Sequence, residues 1–498
     1  MKTYLLTFFF FLLVTQTSFA QLELSSSVSK SDYHSLKLSN FSFDIDSLIT
    51  TTMNNYHIPG LSACLVRDGE IIWKGAYGYA DIENNKPVTD STLFMIASLS
   101  KPFTGTALMQ LWEADLFELD DNINDYLNEF QVHIPNHYND TITFRMLLTH
   151  TSSIDDNWTV LDNLTFWGGD SPVPLDSFLI NYFTPGGIYY NTALNFVNSA
   201  PGTVYHYSNI GVTLVAYLVE TLSNIPFEQY CQDSLFSPLG MNETSWFLSN
   251  LDTNHIALPY YYSGGNYHSY GHYGFPIYPA AGLRTSAAQL ACLIIAFMEK
   301  GQIDGNRILD SSTVDLMTTV QFPELNSVQA IIWGIYDYTV PGFGTYTFCG
   351  HGGSFYGVKT GMDYTLETDK HVGVIILTNG ESQDGVITIW DALYVYSNTI
   401  STDVEDTEQS PSEFSLSQNF PNPFNPATTI NYQIPELSFV TLKVYDVLGN
   451  EIITLVNEEK TAGSYDLEFN AASLSSGVYF YRLQAGSFVE TKKMVLMK

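Results

Sequence analysis

Residues 95–103 read Met95-Ile-Ala-Ser98-Leu-Ser-Lys101-Pro-Phe103, in which a serine precedes a lysine by three positions. In a helix, residues at this spacing lie on one face, about one turn apart. A free serine hydroxyl is a poor nucleophile and a free lysine is protonated at neutral pH, so each needs help from its surroundings. Because the positive end of a helix dipole disfavours an ammonium, the first turn of a helix supplies some of that help. The stretch therefore predicts a nucleophile, Ser98, paired with a base, Lys101, at the start of a buried helix.

The Ser-x-x-Lys pattern is weak by itself, because residue frequencies predict about one chance match in a chain of this length. A second copy, Ser27-Val-Ser-Lys30, lies in a polar segment with no helical periodicity and is interpreted as coincidence. The remaining sequence must therefore decide whether Ser98 and Lys101 belong to a site.

Composition limits the class of protein. The chain has 498 residues, of which 45% are hydrophobic and 14% aromatic, so it is long and apolar enough for two or three folded domains. A net charge of −33 argues against nucleic acid or an anionic membrane surface as a partner. The simplest interpretation is that this charge keeps the protein soluble outside the cell. The four cysteines are scattered along the chain, so we expect most of them to be buried free thiols: Cys64, Cys231, Cys292 and Cys349. One disulfide among them remains an alternative in an exported protein.

The chain divides into segments by composition. A short apolar block near the start, followed by Ser18-Phe19-Ala20, predicts a secretory signal peptide cleaved after Ala20. No later stretch is long enough to cross a bilayer, so we expect no transmembrane segment in the mature chain. The predicted segments are a signal peptide at 1–20, a linker at 21–40, the main body at 41–400, an acidic linker at 401–413 and a final module at 414–498.

The main body is predicted to be α+β. Two strands joined by Asp68-Gly69 come first, a mostly helical region spans about 115–325, and strands return from Ile331. Apolar spacing within that region predicts a helix over Leu116–Phe130. A sheet completed by both ends of the body would place the Ser98 helix at its junction with the helical region, where clefts form.

Two loops rich in aromatic residues interrupt the helical region, at 155–204 and 260–278. The first is expected to form a wall or lid over a cleft. Both loops could line a pocket for the acyl group of a substrate, or could pack on themselves, and the sequence leaves these alternatives open.

Two further motifs carry groups suited to chemistry. Tyr207-Ser-Asn209 follows Pro201-Gly-Thr-Val and begins a helix, which offers a phenol and an amide. His351-Gly-Gly353-Ser354 follows a strand, and its small residues allow the backbone to approach a ligand closely.

In this order, the motifs resemble the serine β-lactamase and penicillin-binding-protein superfamily, specifically its class C-like branch of β-lactamases, D-aminopeptidases and esterases. The resemblance covers about residues 41–400 and includes flanking segments such as Leu147-Leu-Thr-His-Thr-Ser and Pro238-Leu-Gly-Met. It implies a β-lactamase/transpeptidase-like fold, with an antiparallel sheet flanked by helices and a mostly helical subdomain. It implies no metal and no organic cofactor.

The resemblance also implies roles for individual residues. Ser98 would be the acylated nucleophile, Lys101 would lower its proton affinity, and Tyr207 would share the general-base role. Asn209 would orient either a substrate carbonyl or the lysine. Neighbouring Tyr205 and His206 remain weaker alternatives for the base.

The third motif completes the implied site. The backbone amides of Ser98 and Ser354 would form the oxyanion hole, with His351 and Gly353 beside the substrate. Many β-lactamases and transpeptidases have Lys-Thr-Gly here, and that lysine helps to bind a substrate carboxylate. Because histidine is mostly neutral at pH 7, the departure favours ester or amide substrates, small molecules or peptides, turned over by an esterase or D-amino-acid peptidase-like enzyme. β-Lactamase or D,D-carboxypeptidase activity, or a catalytically silent surface binding protein, are the alternatives.

The final module has its own resemblance. The stretches Leu416-Ser-Gln-Asn-Phe-Pro421-Asn-Pro-Phe-Asn-Pro426, Val444-Tyr-Asp-Val-Leu-Gly449 and Gly477-Val-Tyr-Phe-Tyr-Arg482 look like the type IX secretion sorting domain of Gram-negative bacteria. Its short alternating strands predict a small β-sandwich. The resemblance implies the type IX secretion machinery as a partner, and a secreted or cell-surface location reached through the periplasm.

Overall fold

The computed structural model describes residues 44–400 and 414–497, apart from residues 420, 436, 462 and 487. The chain separates into two compact units between Ile400 and Ser401. The predicted signal peptide at 1–20 and the predicted linkers at 21–40 and 401–413 lie outside the described residues.

The first unit is built on a seven-stranded antiparallel sheet with the order β12-β13-β14-β15-β1-β2-β3. Strands β1 and β15 pair along their length, with Cys64 opposite Ile375, so the beginning and end of this unit complete one sheet as expected. The strands of the unit are β1 (Gly60–Arg67), β2 (Glu70–Asp81), β3 (Lys86–Pro87), β4 (Phe94–Met95), β5 (Phe166–Trp167), β6 (Tyr260–Ser263), β7 (Asn266–Ser269), β8 (Tyr273–Gly274), β9 (Arg284–Thr285), β10 (Gln302–Ile303), β11 (Asn306–Arg307), β12 (Gly334–Val340), β13 (Gly344–Phe355), β14 (Val358–Thr365) and β15 (Val372–Thr378).

Helices cover both faces of this sheet. Alternate residues of β1 enter different cores: Ala63 and Leu65 pack with α1 and α11, whereas Cys64 and Val66 join the large core shared with the helical region. The helices are α1 (Ile45–Asn55), α2 (Lys101–Glu113), α3 (Phe144–Leu148), α4 (Trp158–Asn163), α5 (Leu175–Phe183), α6 (Asn209–Ser223), α7 (Phe227–Cys231), α8 (Tyr278–Ala281), α9 (Ala287–Met298), α10 (Ser311–Met317) and α11 (Gln383–Ser397). The predicted α+β fold with a helical subdomain is confirmed.

The helix predicted over Leu116–Phe130 is wrong. This segment contains only a short 3-10 turn, Ile123–Asp125. The Asn124 side chain explains the departure, because its Oδ1 accepts from Val132 N at 2.8 Å and its Nδ2 donates to Val132 O at 2.9 Å. These hydrogen bonds hold an irregular loop whose apolar residues are nevertheless buried. The apolar residues therefore have the spacing typical of a helix, although the segment is not helical.

The segment predicted as an aromatic loop at 260–278 contains a hairpin. Strands β6 and β7 pair with Tyr261 opposite His268. The turn between them is Gly264-Gly265, with φ of 60° and 84°, a left-handed conformation that glycine adopts without a steric penalty.

The second unit forms two sheets that share one core, which confirms the small β-sandwich. A three-stranded sheet has the order β16-β17-β20 and a four-stranded sheet has the order β19-β18-β21-β22. Ile430 and Leu442, from different sheets, both lie in that core. The strands are β16 (Ser415–Leu416), β17 (Ala427–Ile434), β18 (Ser438–Tyr445), β19 (Glu451–Lys460), β20 (Gly463–Asn470), β21 (Gly477–Ala485) and β22 (Phe488–Leu496).

The cysteines are free thiols, three of them buried and Cys292 half-buried, as the scattered spacing predicted. Within the described ranges no single helix has the length and apolarity needed to cross a membrane. The bent pair Asn209–Ser223 and Phe227–Phe236 satisfies the same criteria together, but most of its residues are buried in the protein core. The described residues also contain no cluster of three or more His, Cys, Asp or Glu arranged to hold a metal.

Candidate active site

Ser98 lies in a tight 3-10 turn, Ala97–Ser100, immediately before α2. Ala97 has a φ of 48°, in the left-handed region that residues other than glycine seldom adopt. Ser100 stabilises this turn, because its Oγ donates to Ala97 O at 2.7 Å and accepts from Leu283 N at 3.1 Å. Such backbone strain is typically stored at functional sites, and here it immediately precedes the half-buried Ser98.

Lys101 is fully buried at the start of α2. Its Nζ donates to Ser98 Oγ at 2.9 Å, to Asn209 Oδ1 at 2.7 Å and to Ala280 O at 2.9 Å. Burial lowers the pKa of Lys101 to about 7, against the opposing effect of the Asp156 charge. At pH 7 the Lys101 amine is therefore neutral in a large fraction of the molecules. A neutral amine at this distance can accept the proton of Ser98.

Tyr207 is a second partner of the same serine. Its hydroxyl shares a hydrogen bond with Ser98, and its ring centroid is 4.9 Å from Lys101 Nζ. Burial raises the pKa of Tyr207, an effect that the Ser98 hydrogen bond only partly offsets. The side chain is therefore a phenol at neutral pH, suited to relaying a proton rather than to acting as a free phenolate.

Asp156 belongs to this constellation, although the sequence did not single it out. Its buried carboxylate accepts from Asn209 N at 3.0 Å, Asn209 Nδ2 at 2.6 Å and Ile210 N at 3.0 Å. These donors open α6, where the helix dipole favours a negative charge. Because Nδ2 faces Asp156, the Asn209 oxygen faces Lys101, so of the two predicted roles Asn209 is placed to orient the lysine. An acidic residue 53 positions before its partner leaves no local pattern in the chain.

His150 supports the Tyr207 segment from behind. Its Nδ1 accepts from Ser208 N at 3.2 Å, and its ring lies 4.4 Å from the Tyr207 ring. Burial, together with the nearby Lys101, lowers the pKa of His150 well below its ordinary value, so the ring is neutral.

The two alternative bases are engaged elsewhere. Tyr205 donates to Gln329 Oε1 at 3.3 Å, and His206 forms an ion pair with Asp155 at 2.6 Å. Burial raises the pKa of Tyr205 to about 12. Neither side chain takes part in the hydrogen bonds described at Ser98.

The third motif lies on β13, beyond the point where Gly350 makes the last pair with β12. At Gly353, a Cβ atom would lie 2.4 Å from Ile96 O and 3.3 Å from Ala97 Cβ. Only glycine therefore allows this strand to approach the nucleophile turn so closely. The next residue, Ser354, is exposed, which leaves it accessible beside that turn.

His351 is buried, and its Nδ1 is bonded to Gly352 O at 2.7 Å. Burial, followed by the charge of Lys101, lowers the pKa of His351 to about 3. The ring is therefore neutral at pH 7 and presents no positive charge to a substrate carboxylate.

The antiparallel sheet, the helical region beside it and the Ser-Lys pair at their junction define the β-lactamase/transpeptidase-like class of proteins. The Beta-lactamase family model matches residues 45–395, and the chain belongs to this family. A second family model, the secretion system C-terminal sorting domain, matches residues 418–497.

Protein flp of Staphylococcus aureus (strain NCTC 8325 / PS 47) is 28% identical over 229 residues, which is 44% of this chain and 41% of that protein. The chain thus spans about two fifths of the length of the curated relatives it matches.

Among solved structures, EstCE1, a hydrolase with promiscuous acyltransferase activity, aligns with a TM-score of 0.55 and 21% identity, over 70% of this chain and 97% of that chain. The D-amino acid amidase from Ochrobactrum anthropi SV3 aligns with a TM-score of 0.54 and 19% identity, over 72% and 99%. These two similarities support the fold.

Proposed function

We propose that the protein is a secreted serine hydrolase that cleaves ester or amide bonds through an acyl-enzyme on Ser98. The observation that carries this proposal is the 2.9 Å contact between Lys101 Nζ and Ser98 Oγ, made by a lysine whose pKa burial lowers to about 7. A serine nucleophile needs a base at this distance, and Lys101 is the basic group that contacts Ser98 Oγ.

In the proposed reaction, neutral Lys101 takes the proton of Ser98 as Oγ attacks the substrate carbonyl carbon. The backbone amides of Ser98 and Ser354 stabilise the negative oxygen of the tetrahedral intermediate. Protonated Lys101 returns this proton through Tyr207 to the departing alcohol or amine, the bond from the carbonyl carbon to that group breaks, and Ser98 carries the acyl group. Water then attacks the acyl carbon and gives a proton to the Lys101–Tyr207 pair, which passes it to Ser98 Oγ as the acyl–oxygen bond breaks, so that the acid leaves and the Ser98 hydroxyl is restored.

The substrate class follows from the third motif. Because His351 is neutral, the third motif itself supplies no cation for a substrate carboxylate beside Ser354. This favours simple esters and amides over β-lactams and D,D-peptides. The neighbouring folds of an esterase and of a D-amino acid amidase are consistent with that preference.

The test is covalent labelling with a fluorophosphonate probe. Wild-type protein should be labelled at Ser98, and Ser98→Ala should not be labelled. Ser91→Ala, which removes an exposed serine hydroxyl from the preceding segment, serves as a matched control and should retain labelling. A folded wild-type protein that resists the probe would favour the rival hypothesis, a silent binding protein. Hydrolysis of nitrocefin with esters left untouched would refute the proposed substrate class.

The second unit would act as a sorting signal for type IX secretion. Its match to a secretion system C-terminal sorting domain supports this role, with the secretion machinery of a Gram-negative bacterium as partner. The protein would leave the cytoplasm by its signal peptide and cross the outer membrane from the periplasm to the surface or the medium. The unit would contribute nothing to catalysis.

A further inference from the structure

Three aromatic side chains from separate segments meet at the surface of the first unit. The Trp167 ring lies 5.8 Å from that of Tyr270, nearly parallel at 17°, and 5.6 Å from that of Tyr356. The Tyr270 and Tyr356 rings are 5.7 Å apart. We call these three residues the aromatic platform. It brings together the two aromatic loops of the sequence and the end of the third-motif strand.

The platform adjoins the candidate active site through Tyr356. This residue follows exposed Ser354 by two positions, so their Cα atoms lie within about 7 Å. Ser354 in turn follows Gly353, where a Cβ atom would lie 2.4 Å from Ile96 O, beside the nucleophile turn. The platform therefore lies near the site, on the side of Ser354.

The rings are held in place by polar contacts at their edges. Tyr356 donates to Asp162 Oδ1 at 3.1 Å, and Tyr270 donates to Glu381 Oε1 at 3.0 Å. Buried Tyr273 lies behind them and donates to Tyr356 O at 2.7 Å. Because the tyrosine hydroxyls already have protein partners, the surface that remains for a ligand is mainly the faces of the rings.

Packing of the loops on themselves accounts for only part of this arrangement. Tyr273 is fully buried and stacks against Phe355 in the interior. Trp167, by contrast, is 54% exposed although it is fixed between neighbouring rings. A large, immobilised and exposed indole offers stacking area to a ligand at little cost in conformational entropy. The platform edge carries two carboxylates, Asp162 and Glu381, as the acceptors of these tyrosine hydroxyls.

We propose that the aromatic platform binds a planar aromatic group carried by the ester or amide substrate, so that it determines which substrates reach Ser98 efficiently. This inference rests on the proposed hydrolase function and adds the chemical class of the substrate. The recognition is by stacking on Trp167, with the reacting carbonyl placed between Ser354 and Ser98.

The kinetic test compares three esters of different side groups: methyl 3-phenylpropanoate, methyl 3-cyclohexylpropanoate and methyl acetate. Trp167→Ala should lower kcat/KM for the phenyl ester by about three- to tenfold, through a higher KM, because an aromatic pair contributes about 0.5–1.5 kcal/mol beyond area burial. Turnover of methyl acetate should not change. Trp167→Phe should recover most of the loss. Tyr138→Ala, which removes another exposed ring stacked on His133, is the matched control and should leave all three rates unaltered.

A binding measurement separates this inference from the proposed function. Saturation-transfer NMR of 3-phenylpropan-1-ol with Ser98→Ala protein should show contact with the phenyl ring, and Trp167→Ala in the same background should abolish it. If the wild-type protein hydrolyses none of the esters while this binding persists, the proposed hydrolase function is refuted, but the aromatic platform is still supported as a binding site for an aromatic group.

Three results would overturn the platform. One is an equal loss for methyl acetate and the phenyl ester in Trp167→Ala, and another is an equal loss for the cyclohexyl and phenyl esters. The third is alcohol binding that does not depend on Trp167.

Discussion

Asn209 donates its Nδ2 to Asp156 at 2.6 Å, and this bond turns its Oδ1 toward Lys101 Nζ at 2.7 Å. The amide therefore has one orientation that satisfies both neighbours, since the Asp156 carboxylate accepts only and Lys101 Nζ donates to Asn209 Oδ1. Asp156 determines how Lys101 is held without contacting Ser98 itself.

Asp156→Asn should disrupt the orientation of Asn209 between residue 156 and Lys101. The variant keeps the shape of the side chain but can present an amide to Asn209 Nδ2, so Asn209 loses its fixed orientation and kcat/KM for a methyl ester should fall by about a hundredfold. Loss of the Asp156 charge should also lower the pKa of Lys101, which shifts the acid limb of the pH profile to lower pH. Asp155→Asn, next to it but paired with His206, is the control. An unchanged profile in Asp156→Asn would contradict this role.

Lys101→Arg should lose acylation about as severely as Lys101→Ala. Guanidinium keeps the positive charge but does not deprotonate at accessible pH, so the base disappears in both variants. Ester turnover should fall by about 10²–10⁴ in each. Circular dichroism melting establishes that the variants fold. Near-normal turnover by the arginine variant would mean that the lysine acts only as a fixed charge, and the base would then have to be Tyr207.

The pH dependence of ester hydrolysis should follow Lys101. Below about pH 7 the lysine is protonated and cannot accept the Ser98 proton, so kcat/KM should rise with pH through about 7 and then level off. The pKa of His351 is about 3 and burial raises the pKa of Tyr207, so neither group should cause the rise of kcat/KM near pH 7. A pH-stat assay with methyl acetate from pH 5 to 9 measures this profile. A rate independent of pH over that range would show that Lys101 is not the titrating base.

Asp363→Asn should change how stability depends on pH. Burial raises the pKa of Asp363 to about 7, while Trp390 Nε1 donates to it at 2.9 Å and Tyr336 donates to its other oxygen. The folded state therefore keeps a proton that the unfolded state releases near the ordinary value of 3.8, so this stabilisation is complete below that pH and is lost as pH rises through 7. Urea unfolding at several pH values should show that the free energy of unfolding of Asp363→Asn gains on wild type from pH 4 to 8. A constant difference would disprove the assignment.

Deletion of residues 414–498 should separate transport from catalysis. The purified first unit should hydrolyse esters at the wild-type rate, because each unit has its own hydrophobic core. In the native host, the truncated protein should accumulate in the periplasm, as measured by cell fractionation and immunoblotting. Loss of activity in the purified truncated protein would mean that the module supports the active site.

Much of the fold was predictable because local patterns report local structure. The hairpin at Asp68-Gly69 formed with both turn residues at positive φ, and the helix predicted to begin at the Tyr207-Ser-Asn209 motif begins at Asn209 with Ser208 as its cap. Apolar spacing failed over Leu116–Phe130, where Asn124 bonds to the Val132 backbone and holds a loop. Periodicity records which side chains are buried, and a loop held by side-chain-to-backbone hydrogen bonds can bury the same side chains without a helix.

The amino-acid sequence by itself determined the groups available to the site: the Ser98–Lys101 pair, the Tyr207 and Asn209 motif and a third motif whose glycine lets β13 reach the nucleophile turn. Only the tertiary structure decided that Lys101 is buried with a pKa near 7, that Asp156 orients Asn209, and that Trp167, Tyr270 and Tyr356 share one surface. Spacing along the chain specifies which neighbours a residue has within a turn or a strand. A pKa and an amide orientation depend instead on the burial and charges supplied by segments distant in sequence, which exist only when the chain has folded.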